Sequence, residues 1–150
     1  MVLSGAAAAQ TFVLGGKVQF SPDQKLMFGA AKKVMNRDYK GAETVYDQVI
    51  AMNGGNIDAY IQRGTVRREL GDAAGTASDG NTAVTLANAA LKNTPNNPML
   101  YYQRGMGFRL LKNYDQAEKD VAYGIRLGGQ PSWKTDIQAI ELEKKEAGLR

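Results

Sequence analysis

The chain has 150 residues, 43% of them hydrophobic and 23% charged, which suits one soluble domain large enough to bury a core without covalent staples. It contains no cysteine and no histidine, which excludes disulfides, thiolate nucleophiles, imidazole bases and most zinc or iron sites. The net charge of +4 is compatible with acidic partners but far below that of a nucleic-acid-binding arm, and no apolar run reaches the roughly 18 to 20 residues needed to span a bilayer.

Residues 1–24 read as an N-terminal arm. The start ends in Ala7-Ala8-Ala9, a small-residue pattern that suits a signal peptidase, without a basic n-region or a full apolar h-region. Residues 1–9 are therefore either the stump of a trimmed signal, with an extracytoplasmic location, or an alanine-rich terminus of a cytoplasmic protein. Thr11 to Phe20 predicts a short irregular arm or a β-hairpin about Gly15-Gly16; alone it would be marginal, so it should pack on the first helices or lie in a groove.

From residue 25 the periodicity becomes helical. Leu26, Phe28 and Val34 share one face, and Val45, Val49 and Met52 share the next. Asn36-Arg37-Asp38, Gly54-Gly55-Asn56, Gly71-Asp72, Pro95 to Pro98 and Gly128 to Pro131 punctuate the helices, because these residues favour positive φ or cannot continue a helix. At the end, Ser132 is placed to cap a helix over 132–148. Its Trp133, Ile137, Ile140 and Leu142 form an apolar stripe beside Glu141, Glu143, Lys144, Lys145 and Glu146.

Two strings recur. Ala59-Tyr60-Ile61-Gln62-Arg63-Gly64 and Leu100-Tyr101-Tyr102-Gln103-Arg104-Gly105 share an apolar-Tyr-x-Gln-Arg-Gly pattern, with the glycines 41 residues apart. Asp38-Tyr39-Lys40-Gly41-Ala42 with Tyr46 and Ile50 matches Asn113-Tyr114-Asp115-Gln116-Ala117 with Val121 and Ile125. On these residues the chain resembles the tetratricopeptide repeat, a helix–turn–helix unit of about 34 residues. The resemblance implies an all-α solenoid of antiparallel hairpins over 25–150, with repeats 25–56, 57–97 and 98–131 and the capping helix 132–148. It also implies that Gly29, Gly64 and Gly105 on first helices face Ala42, Ala83 and Ala117 on second helices, letting the axes approach closely. The second unit is seven residues too long, and its three glycines between Gly71 and Gly80 predict a flexible insertion there.

Chemical motifs fail on inspection. Gly16-Lys17 lacks the spacing of a phosphate loop, and Asp72 with Asp79-Gly80-Asn81 lacks the alternate carboxylates of a calcium loop. Ser4, Ser21, Ser78 and Ser132 have no histidine base. The chain is therefore read as a non-enzyme with no cofactor and no metal.

Charge is segregated instead. Each first helix is net positive and each second helix net negative. The resemblance implies that first helices line a concave groove, which should then be basic. Counting from the three glycines puts Lys33, Arg68 and Arg109 at one equivalent position, and the resemblance implies that this position faces the groove together with Ile61, Thr65, Tyr102 and Met106. Such a face suits an extended acidic peptide of a protein partner. Arg63 and Arg104 fall on the packing side, where Arg104 can pair with Asp120. The asparagines with which the family clamps a chaperone's acidic tail are not at these positions. The reading is a protein-interaction scaffold or adaptor; the alternatives are an RNA-binding helical repeat and a scaffold that self-assembles into homo-oligomers.

Overall fold

In the computed structural model, which describes residues 12–14 and 17–150, six helices each open on a side-chain cap. Ser21, Asp38, Asn56, Asp72, Asn97 and Asn113 accept from the backbone N–H groups of Gln24, Gly41, Ala59, Gly75, Met99 and Gln116. These oxygens satisfy donors that a helix start leaves unpaired, so short polar residues mark the starts. The helices are α1 (Pro22–Met35), α2 (Tyr39–Met52), α3 (Ile57–Glu69), α4 (Ala73–Leu91), α5 (Pro98–Leu110) and α6 (Tyr114–Arg126). A 3₁₀ turn (Pro131–Trp133) then leads into α7 (Lys134–Glu146). Ahead of them, strands β1 (Phe12–Leu14) and β2 (Lys17–Gln19) pair antiparallel with Val13 opposite Val18. The expected turn at Gly15-Gly16 and the signal-like stretch 1–9 lie outside the described residues.

Consecutive helices form three hairpins, α1–α2, α3–α4 and α5–α6, stacked in chain order with α7 against α6. Each hairpin turn is made the same way, with one residue at positive φ: Arg37 at 60°, Gly71 at 78° and Lys112 at 58°. Only the glycine adopts that conformation freely; the arginine and the lysine each cost about 1 kcal/mol. The apolar residues fall into three clusters along the stack. One holds Ala30, Ala42, Tyr46 and Val66, the next Ile57, Ile61, Ala83, Ala87, Leu91 and Leu100, and the last Tyr114, Ala117, Val121, Trp133 and Ile140. Stability is thus shared between neighbouring hairpins, as in any solenoid.

The turns correct the expected register of the first repeat. Arg37, Gly71 and Lys112 lie seven residues after Ala30, Gly64 and Gly105, so Ala30 and not Gly29 is the small residue of that hairpin. Ala30 is fully buried, whereas a Cβ on Gly29 would meet nothing within 4 Å. Phe28, placed with Leu26 and Val34 on one apolar face, is 59% exposed, with its ring edge-on to Phe20 at 5.0 Å. The spacing from Ala30 to Gly64 is then 34 residues, with no extra residue in the unit.

The flexible insertion at 71–80 does not exist. Its residues open α4, which runs for 19 residues against 14 in α2 and 13 in α6. Of its glycines, Gly71 makes the turn and Gly80 serves packing: a Cβ on Gly80 would come within 3.0 Å of the Gly107 carbonyl, so this crossing of α4 and α5 needs a bare backbone. The small partner of Gly64 is accordingly Thr76, whose hydroxyl donates to the Gly64 carbonyl at 3.2 Å, and not Ala83. Gly105 does face Ala117, whose carbonyl would lie 2.9 Å from an added Cβ. Two further expectations shift at the ends. α1 begins at Pro22 rather than at residue 25, and Ser132 sits in the 3₁₀ turn without capping α7. Leu142 is 56% exposed and is not part of the apolar stripe.

Candidate functional site

The recurring strings turn out to be the joints of the stack. Tyr60 and Tyr101 donate their hydroxyls to the Gly54 and Pro95 carbonyls six residues back. Arg63 donates to Asp79 at 2.7 and 3.1 Å and reaches Asp47 of the preceding hairpin at 2.7 Å. Arg104 repeats this with Asp120, at 2.7 and 2.8 Å, and with Asn88 at 2.8 Å. Each arginine thereby ties three helices together, and each stacks over its tyrosine ring. The Arg104–Asp120 pair fulfils the sequence expectation. Arg67, on Asp79 and Glu43, is bound up in the same network. Much of the cationic excess of the first helices is therefore internal.

What remains forms a cavity of about 130 Å³ between α3 and α5. Ile61, Thr65, Arg68, Tyr102, Met106 and Arg109 line it together with Asp58, Gln62 and Leu110. Six of the seven residues picked from the sequence thus converge. Ile61 is buried and forms its floor. Lys33 does not join them: in the corrected register its place falls to Val34, and the Lys33 ammonium pairs with Asp38 at 2.7 Å. The expected stripe of three cations reduces to Arg68 and Arg109.

Those two share a partner that sequence reasoning missed. Glu143 of α7 accepts from Arg109 at 2.6 Å and again at 3.2 Å, and its same oxygen lies 3.6 Å from Arg68. Burial opposes the charge on Arg109, but the Glu143 carboxylate, together with Asp136 and Tyr102, holds the guanidinium above its ordinary value. Nearby, Gln103 donates to Asp58 at 3.0 Å, bridging α5 to α3. Tyr102 stacks on Trp133 at 4.4 Å and donates to Asp136 at 3.3 Å; burial, reinforced by Asp136, pushes its hydroxyl up to about 12. On the other side of the Arg68–Arg109 pair opens a larger cleft of about 650 Å³, bounded by the ends of α3, α5 and α7 and the starts of α4 and α6. Among the described residues no cluster of acidic side chains could hold a metal ion, and no helix is long and apolar enough to cross a membrane.

One signal in the sequence did point to these joints. Asp47 to Arg63, Arg63 to Asp79, Asn88 to Arg104 and Arg104 to Asp120 are all sixteen residues apart. Glu143 had no such signal, because α7 has no counterpart elsewhere in the chain.

No family model matches the sequence, and neither does any curated protein. The fold is matched by solved structures. The Sgt2 TPR domain from Aspergillus fumigatus superposes with a TM-score of 0.54 at 18% identity, over 85% of this chain and 83% of that one. The first TPR domain of Spaghetti (RPAP3), solved with an HSP90 peptide, does so with a TM-score of 0.51 at 20% identity, over 81% of this chain and 91% of that one. With three stacked hairpins, a small residue at the same place in each and these two structures alongside, the chain has the tetratricopeptide-repeat fold.

Proposed function

We propose that this chain is a non-catalytic interaction scaffold that holds an extended, carboxylate-bearing peptide of a protein partner across the face lined by α3 and α5. The observation that carries the reading is the convergence of Ile61, Thr65, Tyr102 and Met106 on a pair of arginines already holding a carboxylate, that of Glu143. A guanidinium pair fixes a carboxylate through charge-assisted hydrogen bonds, and the flanking apolar surface takes alternate side chains of an extended strand. A domain of the same fold, that of RPAP3, is bound to the peptide SRMEEVD, which carries two adjacent glutamates.

The test is fluorescence anisotropy with a labelled peptide of alternating glutamate and leucine, comparing the native chain with an Arg68→Gln, Arg109→Gln double variant of equal helicity. The double variant should bind about tenfold or more weakly, and native binding should weaken as salt rises. Equal binding by the two chains, or capture of RNA in preference to the peptide, would overturn the reading.

A further inference from the structure

If this face is a peptide site, the contacts of Glu143 bear on its regulation. Arg68 is on α3 and Arg109 on α5, yet both reach one carboxylate on α7, so Glu143 spans the site instead of simply closing the end of the stack. It stands where the two cavities meet, since Arg68, Arg109 and Leu110 line both. A peptide running from the smaller cavity into the larger cleft would pass over it.

α7 is held in two different ways along its length. Its first half is anchored by apolar packing: Ile137 and Ile140 lie against the cluster of Tyr114, Ala117 and Val121, and Ile140 is fully buried. Beyond Ile140 the described attachments are polar, Glu143 on the arginines and Lys144 on Asp115 at 2.6 Å, while Leu142 faces solvent. These pairs are partly open to solvent, with 25% of the Glu143 side chain and 67% of the Asp115 side chain exposed, so water and salt compete for the carboxylates. Releasing the last turns therefore costs far less than detaching the first half.

We propose that Glu143 is a built-in occupant of the peptide site, and that a partner's carboxylate displaces it by freeing the last turns of α7, about residues 141–147, while the turn at Trp133 and the first half stay docked. The two carboxylates compete for the same guanidinium donors, so the affinity seen from outside is reduced by the fraction of chains in which Glu143 is seated.

The same glutamate–leucine peptide tests this with Glu143→Gln and, as a control for net charge, Glu141→Gln, an exposed carboxylate on the same helix. Glu143→Gln should bind about tenfold more tightly than the native chain, and Glu141→Gln should be unchanged. In the native chain, saturating peptide should speed amide exchange over 141–147 and leave 134–140 protected. Equal affinity of Glu143→Gln and the native chain, with binding still lost in Arg109→Gln, would overturn the competitor and leave the peptide site standing. Equal tightening by both glutamate variants would reduce the effect to net charge and overturn it as well. Unchanged exchange over 141–147 at saturation does the same without any variant. Absence of binding by every chain would overturn both readings.

Discussion

Asp79 is the most deeply placed charge in the stack, with 1% of its side chain exposed, and its replacement tests whether the arginine joints hold the solenoid together. The carboxylate accepts from Arg63 at 2.7 and 3.1 Å and from Arg67 at 3.0 Å. Asp79→Val removes all three bonds and leaves two guanidinium groups beside an apolar side chain. Losing one partner of a buried ion pair costs about 3–5 kcal/mol. Here Arg63 keeps Asp47 at 2.7 Å and Arg67 keeps Glu43 at 2.9 Å, so the loss belongs at the lower end, about 3 kcal/mol. For a chain of this size that lowers Tm by about 6–12 °C. The first repeat carries Gly29 and Val45 at the two corresponding positions, so the hairpin can be built without the pair. Combining Asp79→Val with Arg63→Met should accordingly recover about 2 kcal/mol relative to the sum of the single losses. Urea unfolding followed by circular dichroism, at unchanged m, measures all three variants. A loss below about 1 kcal/mol for Asp79→Val, or strict additivity in the double variant, would refute the reasoning.

Two further predictions follow from local geometry. Gly29→Ala should stabilise the chain by up to about 1 kcal/mol, because the helix gains propensity and the new methyl meets nothing, whereas Gly105→Ala should cost about 1–2 kcal/mol, because its methyl would lie 2.9 Å from the Ala117 carbonyl. Thermal melts of the two variants moving in the same direction would contradict the corrected register. Tyr102 should ionise at about 12, seen as the late tyrosinate absorbance that disappears in Tyr102→Phe. Its folded value is raised above the ordinary 10.0, so its contribution to stability is full below pH 10, declines as pH rises and is gone above about 12. A difference titration centred near 10 would refute the buried contact with Trp133 and Asp136.

The repeat strings made the hairpins and their order legible, and the family they resemble supplied the positions Ile61, Thr65, Arg68, Tyr102, Met106 and Arg109, which do line one cavity. Lys33 was misplaced by a single residue, because Gly29 and Ala30 are both small and only burial distinguishes the one that packs. On a helix one residue is about a 100° rotation, enough to turn a side chain from the groove to its flank. The Gly71 to Gly80 segment misled for a related reason. Glycine weakens an isolated helix, but Gly80 sits where α4 passes too close to the Gly107 carbonyl of α5, 3.0 Å from an added Cβ, for a side chain to fit.

Periodicity and capping residues are local, so the sequence by itself determined a run of short helices and their stops, and the recurring strings, through the family they resemble, supplied their stacking as antiparallel hairpins. Which charges stay free on that face is a matter of distances between residues far apart in the chain. Arg67 is drawn to Glu43 and Asp79, Arg63 to Asp47 and Asp79, and Arg109 and Arg68 to Glu143, 34 and 75 residues away. Coulombic and hydrogen-bond energies fall off steeply with separation, and separation across a solenoid is set by how its helices pack. Only the tertiary structure could decide that Arg68 and Arg109 already hold a carboxylate of their own chain.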